Sequence, residues 1–156
     1  MKAETVCFTG HRVVANADLL VLEQRLDKTV EQLVNRGITR FLDGGAIGFD
    51  TLASIAVLKR READRRIKLI IVQPCGDQDA KWRTEDKHIY RRLLIAADEV
   101  ICLSDKYYDG CMLDRNKYLV DHSAICVAYL KRNRSGTRQT VLLARAMGLE
   151  IINLAE

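Results

Sequence analysis

The stretch "TRFLDGGAIGFDTLASIAVL" (39–58) is the part of the chain that best indicates its fold class. A short apolar run is followed by three glycines within five positions, and then by apolar residues at helical spacing from Leu52 to Leu58. This order predicts a buried strand, a glycine-rich turn and a helix. Two carboxylates, Asp43 and Asp50, bracket the glycines. Glycines this dense indicate either a tight turn or a close approach of the backbone to another molecule.

The same strand–helix pattern continues along the whole chain. Six short apolar runs recur: TVCFTG (5–10), TRFLDG (39–44), KLIIVQP (68–74), EVICLS (99–104), AICVAYL (124–130) and EIINL (150–154). Five segments between them carry helical periodicity: 19–33, 52–58, 90–97, 113–120 and 141–147. Runs that are apolar throughout are typical of parallel strands buried on both faces. Strict alternation therefore predicts a doubly wound α/β sheet of five or six mainly parallel strands.

Composition limits the class of protein. The 156 residues are 48% hydrophobic and 29% charged, with one proline and no low-complexity tract, so we expect one domain over 1–156. No apolar run approaches the roughly 20 residues that cross a bilayer, so we expect a cytoplasmic protein without a membrane partner. Five cysteines without a C-x-x-C pair indicate neither a zinc site nor a disulfide framework, and we expect no metal.

Ligands of doubly wound sheets bind beyond the carboxyl ends of the strands, so the residues after each run are the candidate site. These segments are TGHR (9–12), DGGAIGFD (43–50), PCGDQD (74–79), SDKYYDGCM (104–112) and YLKRNRSGTRQT (129–140). A glycine-rich turn that leads into a helix exposes backbone N–H groups, which attract phosphate. Neither the G-x-G-x-x-G fingerprint nor a P-loop occurs among them.

Several of these side chains have two interpretations each. Arg12 suits a phosphate or a carboxylate, and His11 suits phosphate binding or acid–base chemistry, but both are equally compatible with ordinary loop packing. Asp50 either caps the following helix or accepts a hydrogen bond from a ribose hydroxyl. Tyr107 either stacks on a base or covers the end of the sheet. Ser135 is either a helix cap or, with its neighbours Gly136 and Thr137, part of a phosphate site.

Read in order, these motifs resemble a known family. T-G-H-R follows the first strand, G-x-A-x-G-x-D the second and P-C the third; RRLLIAADEVICLS, CMLDRNKYLVDHS and S-G-T-x-x-T come later. This order resembles the SLOG superfamily, named for the Smf/DprA and LOG proteins, in its short YpsA-like branch. The resemblance extends from Thr9 to Leu154. It implies a Rossmann-like three-layer sandwich that binds nucleotides or molecules derived from them, such as NAD or ADP-ribose derivatives.

The resemblance also implies which positions contact the ligand. They are Gly10, His11, Arg12, Gly44, Ala46, Gly48, Asp50, Arg115, Asn116, Gly136 and Thr137, to which the residues themselves add Tyr107 and Ser135. The branch often has a serine before Gly44, where this chain has Asp43. A carboxylate aimed at a phosphate would repel it unless Arg12 or a cation intervened.

Three functions follow as hypotheses. The first is binding or sensing of a nucleotide derivative, and the second is an enzyme that hydrolyses an N-glycosidic or phosphate bond of such a ligand, as a LOG-like phosphoribohydrolase does. His11 and Asp50 are the candidate acid–base residues for the second, whereas the arginine–glutamate pair of the LOG branch has no clear counterpart. The third is DprA-like binding of single-stranded DNA. The net charge of +4 and the lack of an exposed aromatic series disfavour nucleic acid as a partner. We expect a homo-oligomer, because family members commonly pair through helices.

Overall fold

The computed structural model describes residues 1–131 and 135–156, in which six strands alternate with five helices. The strands are β1 (Thr5–Gly10), β2 (Arg40–Asp43), β3 (Lys68–Gln73), β4 (Glu99–Cys102), β5 (Ile125–Tyr129) and β6 (Glu150–Asn153). The helices are α1 (Asn16–Asn35), α2 (Phe49–Ala63), α3 (Thr84–Ala96), α4 (Cys111–Asp121) and α5 (Gly136–Ala146). A single 3₁₀ turn, Lys2–Glu4, precedes β1.

All six strands form one sheet in the order β4-β3-β2-β1-β5-β6, and every pairing is parallel. The chain moves outward from β1 to β4 and then crosses back to place β5 on the other side of β1. Cys7 marks the centre of the sheet, because its neighbours in register are Leu42 of β2 and Cys126 of β5. The β1–β5 junction is the topological switch point, where such sheets open a crevice at the carboxyl ends of the strands.

Two apolar cores lie on opposite faces of the sheet. Val6 and Phe8 of β1 pack with buried residues of α1, α2 and α3 on one face. Cys7, which points the other way, packs with Leu119 of α4 and Ala144 of α5. The alternation of adjacent β1 side chains between two cores follows from the period of two in a strand. The predicted three-layer, doubly wound architecture is confirmed.

All five helices begin earlier than apolar periodicity indicated, and three of these starts position the site. Phe49, Cys111 and Gly136 are the first residues of α2, α4 and α5. Their first turns therefore lie closer to the carboxyl ends of the strands than the sequence predicted. No helix among the described residues is both long and apolar enough to span a bilayer.

Candidate functional site

A cavity of about 290 Å³ opens at the switch point between β1 and β5. Its walls come from the end of β1, the loop after β2 and the first turns of α4 and α5. Ten residues selected from the sequence line this strand-end cavity: Gly10, His11, Arg12, Ala46, Asp50, Arg115, Asn116, Ser135, Gly136 and Thr137. The topology thus brings together side chains that are up to 127 positions apart in the sequence.

The first wall follows β1, where glycine allows tight packing. A Cβ atom at Gly10 would lie 2.3 Å from the ring of Phe49, so no other residue fits there without displacing α2. His11 accepts a hydrogen bond at Nε2 from the backbone N–H of Lys131, at 2.9 Å. The neutral imidazole therefore carries its proton on Nδ1. The next residue, Arg12, is exposed at the mouth of the cavity.

The loop between Asp43 and Asp50 is shaped by its contacts within the protein. Gly48 has a φ of +82°, and a Cβ atom there would lie 2.2 Å from the carbonyl oxygen of Arg12. Gly45 also has a positive φ, +71°. Both glycines let the loop turn sharply, and Gly48 lets it pack directly on the backbone after β1. The close approach that the glycine cluster indicated is to the chain itself.

Asp43 does not face the cavity, which corrects the expectation that its carboxylate would repel a phosphate. The side chain is fully buried, accepting hydrogen bonds from Ser54 Oγ at 2.6 Å and from the backbone N–H of Gly45 at 3.2 Å. Burial raises its pKa well above the usual value, and the neighbouring Asp50 raises this pKa further. Asp43 is therefore a buried, structural carboxyl group beneath the site, and burial favours its neutral form.

Asp50 forms a buried pair with Asp43 and lines the cavity itself. Burial raises the pKa of Asp50 to about 6, while the nearby guanidinium of Arg115 and a hydrogen bond from the Ala46 N–H lower it. Its Oδ2 accepts that bond at 3.2 Å. Its Oδ1 is buried and has no hydrogen-bond partner among the described residues. An interaction with the Asp43 carboxyl group also lowers the pKa of Asp50, so proton binding by the two groups is linked.

Arg115 supplies the positive charge that balances this pair. Its guanidinium is buried, with Nη1 donating to the Gly44 carbonyl at 2.8 Å and Nε donating to Asn116 Oδ1 at 2.9 Å. Burial lowers the pKa of Arg115, and the carboxyl groups of Asp50 and Asp43 raise it. A Cβ atom at Gly44 would lie 2.4 Å from Nη1, so glycine is what lets the guanidinium reach the backbone.

The opposite wall is the start of α5. Ser135 caps the helix, accepting a hydrogen bond from the Arg138 N–H at 3.1 Å. Gly136, which is exposed, and Thr137, which is buried, follow in the first turn. This wall presents a helix N-terminus to the cavity, a favourable environment for an anion.

Three residues selected from the sequence do not line the cavity. Gly44 and Gly48 lie behind it and act through Arg115 and Arg12, as described above. Tyr107 lies elsewhere: 59% of it is exposed, and its backbone N–H donates to Asp77 Oδ1 at 3.0 Å. The structure therefore offers no stacking contact from this tyrosine to a ligand in the cavity.

Four residues of the cavity were not selected from the sequence: Phe8, Thr9, Met112 and Leu119. Met112 and Leu119 lie on the same α4 face as Arg115, which the spacing of three and four residues would have revealed. Among the described residues, no group of three or more histidine, cysteine or acidic side chains is placed to hold a metal ion.

Comparison with known proteins identifies the family of this chain. Residues 8–148 match the model of the YspA SLOG family (YpsA). The chain belongs to this family. It is 34% identical over 143 residues to an uncharacterized SPbeta prophage-derived protein, YoqJ, of Bacillus subtilis, a match that covers 83% of this chain and 84% of YoqJ. It is 27% identical to a UPF0398 protein of Halalkalibacterium halodurans, covering 65% of this chain and 55% of that protein.

Solved structures share the fold at low sequence identity. DNA processing protein A of Helicobacter pylori, described for its mode of binding single-stranded DNA, has a TM-score of 0.68 and 19% identity. That match covers 96% of this chain and 64% of that chain. DNA processing protein A of Streptococcus pneumoniae gives the same TM-score at 18% identity, with 96% of this chain and 50% of that chain covered.

These neighbours contradict the prediction that nucleic acid is a disfavoured partner. That prediction rested on the mild net charge of this chain and on its lack of an exposed aromatic series, yet a protein of the same fold binds single-stranded DNA. A net charge is an average over the whole surface and does not report local clustering of basic groups. Such clustering occurs next to α5, where Lys131, Arg138 and Arg145 line one surface cavity of about 400 Å³.

Proposed function

We propose that the strand-end cavity binds the phosphate and ribose of a nucleotide or of a nucleotide-derived molecule. The observation that carries this proposal is the convergence of a helix N-terminus, Arg12 and the two buried residues Asp50 and Arg115 on one cavity of about 290 Å³. This volume is at the lower end of the range of about 300–1,000 Å³ that is usual for small-molecule sites.

The α5 wall suits the phosphate. The first-turn N–H groups and the hydroxyl of Thr137 are donors on one side, and the Arg12 guanidinium is a cation on the other. Because the side chain of Asp43 is buried, does not line the cavity and has a raised pKa, it does not oppose an anion at this wall.

Asp50 suits the ribose. Its carboxylate lies across the cavity from the α5 wall and each oxygen can accept more than one hydrogen bond, so it can receive a sugar hydroxyl in addition to the Ala46 N–H. Arg115 keeps this acceptor ionised at neutral pH, because the nearby positive charge opposes the effect of burial on the pKa.

The test is mass spectrometry of small molecules released from the purified protein, followed by thermal shift with mononucleotides, ADP-ribose and NAD. A ligand at about 100 times its dissociation constant should add roughly 2.7 kcal/mol of stability. Arg12→Ala should abolish the shift, whereas Arg65→Ala, which removes the same charge from an exposed position outside the cavity, should preserve it. No released molecule and no shift would refute the proposal. Incubation of a bound ligand with the protein then separates binding from turnover.

A second candidate function is the binding of single-stranded DNA. The shared fold with DNA processing protein A favours it, together with the cavity lined by Lys131, Arg138 and Arg145 beside α5. Fluorescence anisotropy with an oligo(dT) probe at about 50 and 200 mM salt tests it, because each phosphate contact contributes to the slope of log K against log salt. Arg138→Ala together with Arg145→Ala should weaken binding and reduce that slope. Binding that is unchanged in this variant would contradict the role of these arginines.

A further inference from the structure

The strand-end cavity holds a buried acceptor and a buried donor that are not bonded to each other. Asp50 is 6% exposed and Arg115 is 5% exposed, and both line the cavity. Burial raises the pKa of Asp50 to about 6, and the guanidinium of Arg115 is near enough to lower it. The ion pairs and hydrogen bonds of the described residues nevertheless include none between these two side chains. A charged acceptor and a charged donor therefore face one space without a direct hydrogen bond.

Arg115 retains a donor that the protein satisfies poorly. Its Nη1 and Nε donate to oxygen acceptors, the Gly44 carbonyl at 2.8 Å and Asn116 Oδ1 at 2.9 Å. Its Nη2, in contrast, has the thioether sulfur of Met112 at 3.9 Å as its partner among the described residues. A thioether sulfur is a weak acceptor, and a buried donor without a good acceptor is unfavourable. Nη2 is therefore the part of the guanidinium that gains most from an oxygen atom of a ligand.

Asn116 supplies a second donor, and Arg115 fixes its direction. The Asn116 side chain lines the cavity and is half-buried. Its Oδ1 accepts the hydrogen bond from Arg115 Nε, so the amide oxygen faces the guanidinium. Its Nδ2 donates to no other group in the part of the chain that the structure describes. Arg115 and Asn116 thus leave two N–H donors for a ligand in the same cavity as the Asp50 carboxylate.

A hydroxyl group is the chemical complement of this arrangement. An alcohol oxygen is both donor and acceptor, so it can donate to the Asp50 carboxylate and accept from Arg115 or Asn116 at the same time. A phosphate oxygen in this position would be repelled by the carboxylate, and a methylene would leave buried polar groups unpaired. A site built to hydrogen-bond a hydroxyl strongly rejects an analogue that lacks it. This side of the cavity therefore favours a hydroxyl over a phosphate or an apolar group.

We infer that Asp50, Arg115 and Asn116 form a hydroxyl subsite that selects ribose over deoxyribose. The strand-end cavity then takes ribonucleotides and rejects the nucleotides of DNA. This inference rests on the proposed function, since the phosphate at the α5 wall is what brings a sugar to the subsite. It also separates the cavity from the second candidate function, because single-stranded DNA would contact the basic surface beside α5 and not the hydroxyl subsite.

The test compares sugars that differ by one oxygen atom. Isothermal titration with the full chain measures the affinity for AMP, GMP, CMP and UMP and for their 2′-deoxy and 3′-deoxy analogues. The ribonucleotide that binds best should bind at least about tenfold more tightly than one of its two deoxy analogues. No variant is needed for this comparison, so it does not depend on whether a substituted chain folds.

A substitution at Asn116 then assigns the preference to the subsite. Asn116→Asp keeps an acceptor for Arg115 Nε and replaces the Nδ2 donor by a second acceptor, so the preference for ribose should fall below about threefold. Asn35→Asp is the matched control, because it adds the same charge at an exposed position outside the cavity and should leave the preference unchanged. The preference is a ratio of two affinities, so a general effect of the added charge on phosphate binding cancels.

The outcomes distinguish the hydroxyl subsite from the cavity as a whole. Equal affinities for a ribonucleotide and both of its deoxy analogues would overturn the subsite and leave the phosphate site standing. Tighter binding of a deoxynucleotide would overturn it in favour of a DNA-type ligand. An unchanged preference in Asn116→Asp would also overturn it, because the selection would then arise elsewhere. No binding of any of these nucleotides would refute the proposed function itself.

Discussion

The floor and the rim of the strand-end cavity carry polar groups of different kinds. On the floor, Asp43, Asp50 and Arg115 are buried. Asp43 accepts hydrogen bonds from Ser54 Oγ and the Gly45 N–H, and Asp50 accepts one from the Ala46 N–H. Arg115 donates a hydrogen bond to the Gly44 carbonyl. On the rim, Arg12 and Gly136 are exposed and Ser135 is half-buried. The Ser135 hydroxyl accepts a hydrogen bond from its own helix.

This difference separates the groups that hold the protein together from those that are available to a ligand. A buried charge must be compensated within the fold, since leaving it unpaired costs several kcal/mol. A polar group on the rim keeps its contacts with water, so its replacement changes stability little. We therefore expect substitutions on the floor to act mainly on the free energy of unfolding and substitutions on the rim to act mainly on binding.

The largest expected effect is that of Arg115→Met, which removes the cation of the floor and keeps an apolar stem. The ionised Asp50 would be left uncompensated, and the Gly44 carbonyl would lose its donor at 2.8 Å. We expect a loss of about 3–5 kcal/mol in the free energy of unfolding at pH 7, measured by urea denaturation. The loss should be smaller at pH 5, because Asp50, with a pKa of about 6, is then mostly protonated.

A second substitution distinguishes this explanation from a simple loss of packing. Arg115→Met combined with Asp50→Asn should recover part of the stability, since the uncompensated charge is then gone. Arg65→Ala, on an exposed arginine outside the cavity, should change the free energy of unfolding by less than about 0.5 kcal/mol. A double variant no more stable than Arg115→Met would contradict the electrostatic account of the floor.

The next effect concerns proton binding by the two buried carboxyl groups, Asp43 and Asp50. Burial raises the pKa of Asp43 and of Asp50 above the value near 3.8 that an unfolded chain shows, so the native state holds more protons. Their contribution to stability is fully present below about pH 4 and is lost as pH rises through the native pKa values, at up to about 1.4 kcal/mol per pH unit for one proton. Asp43→Asn removes one of these titrating groups and nearly preserves its shape.

We therefore expect Asp43→Asn to gain stability relative to the parent protein as pH rises from about 4 to 8. Urea denaturation across that range measures the difference. Asp109→Asn, in the exposed loop before α4, is the control and should show a constant difference. Parallel pH profiles for the parent protein and Asp43→Asn would show that the buried pair holds no extra proton.

The sequence predicted the rim better than the floor, for a physical reason. Gly136, Thr137 and Arg12 follow the ends of strands, and the carboxyl ends of parallel strands meet at one edge of the sheet. The alternation of strands and helices in the sequence was therefore sufficient to place these residues together. The role of Asp43 depends on which way one side chain points at the end of a four-residue strand. That direction is set by Ser54, eleven residues later on α2, and no local pattern of the sequence indicates this contact.

The same limit applies to Tyr107. It follows β4 in the sequence, but β4 is at the edge of the sheet, three strands from the switch point, so adjacency to a strand end did not place it at the cavity.

The smallest expected effect on stability is that of substitutions at Ser135 on the rim, which separate its role as a helix cap from its role in binding. Ser135→Ala removes the cap of α5 and should cost about 1 kcal/mol of unfolding free energy. Ser135→Asp preserves a cap, because aspartate accepts the same N–H and its charge suits a helix N-terminus, so stability should be close to that of the parent protein.

The order of the two Ser135 variants should be reversed in binding: Ser135→Asp, the more stable variant, should bind the nucleotide more weakly. A carboxylate at the rim repels a phosphate at the α5 wall, so Ser135→Asp should bind the nucleotide at least about tenfold more weakly while remaining folded, whereas Ser135→Ala should bind it more tightly than Ser135→Asp does. Thermal denaturation without ligand and isothermal titration with ligand separate the two properties. If Ser135→Asp bound as tightly as the parent protein, the phosphate would lie elsewhere, and the rim would be a helix cap without a role in recognition.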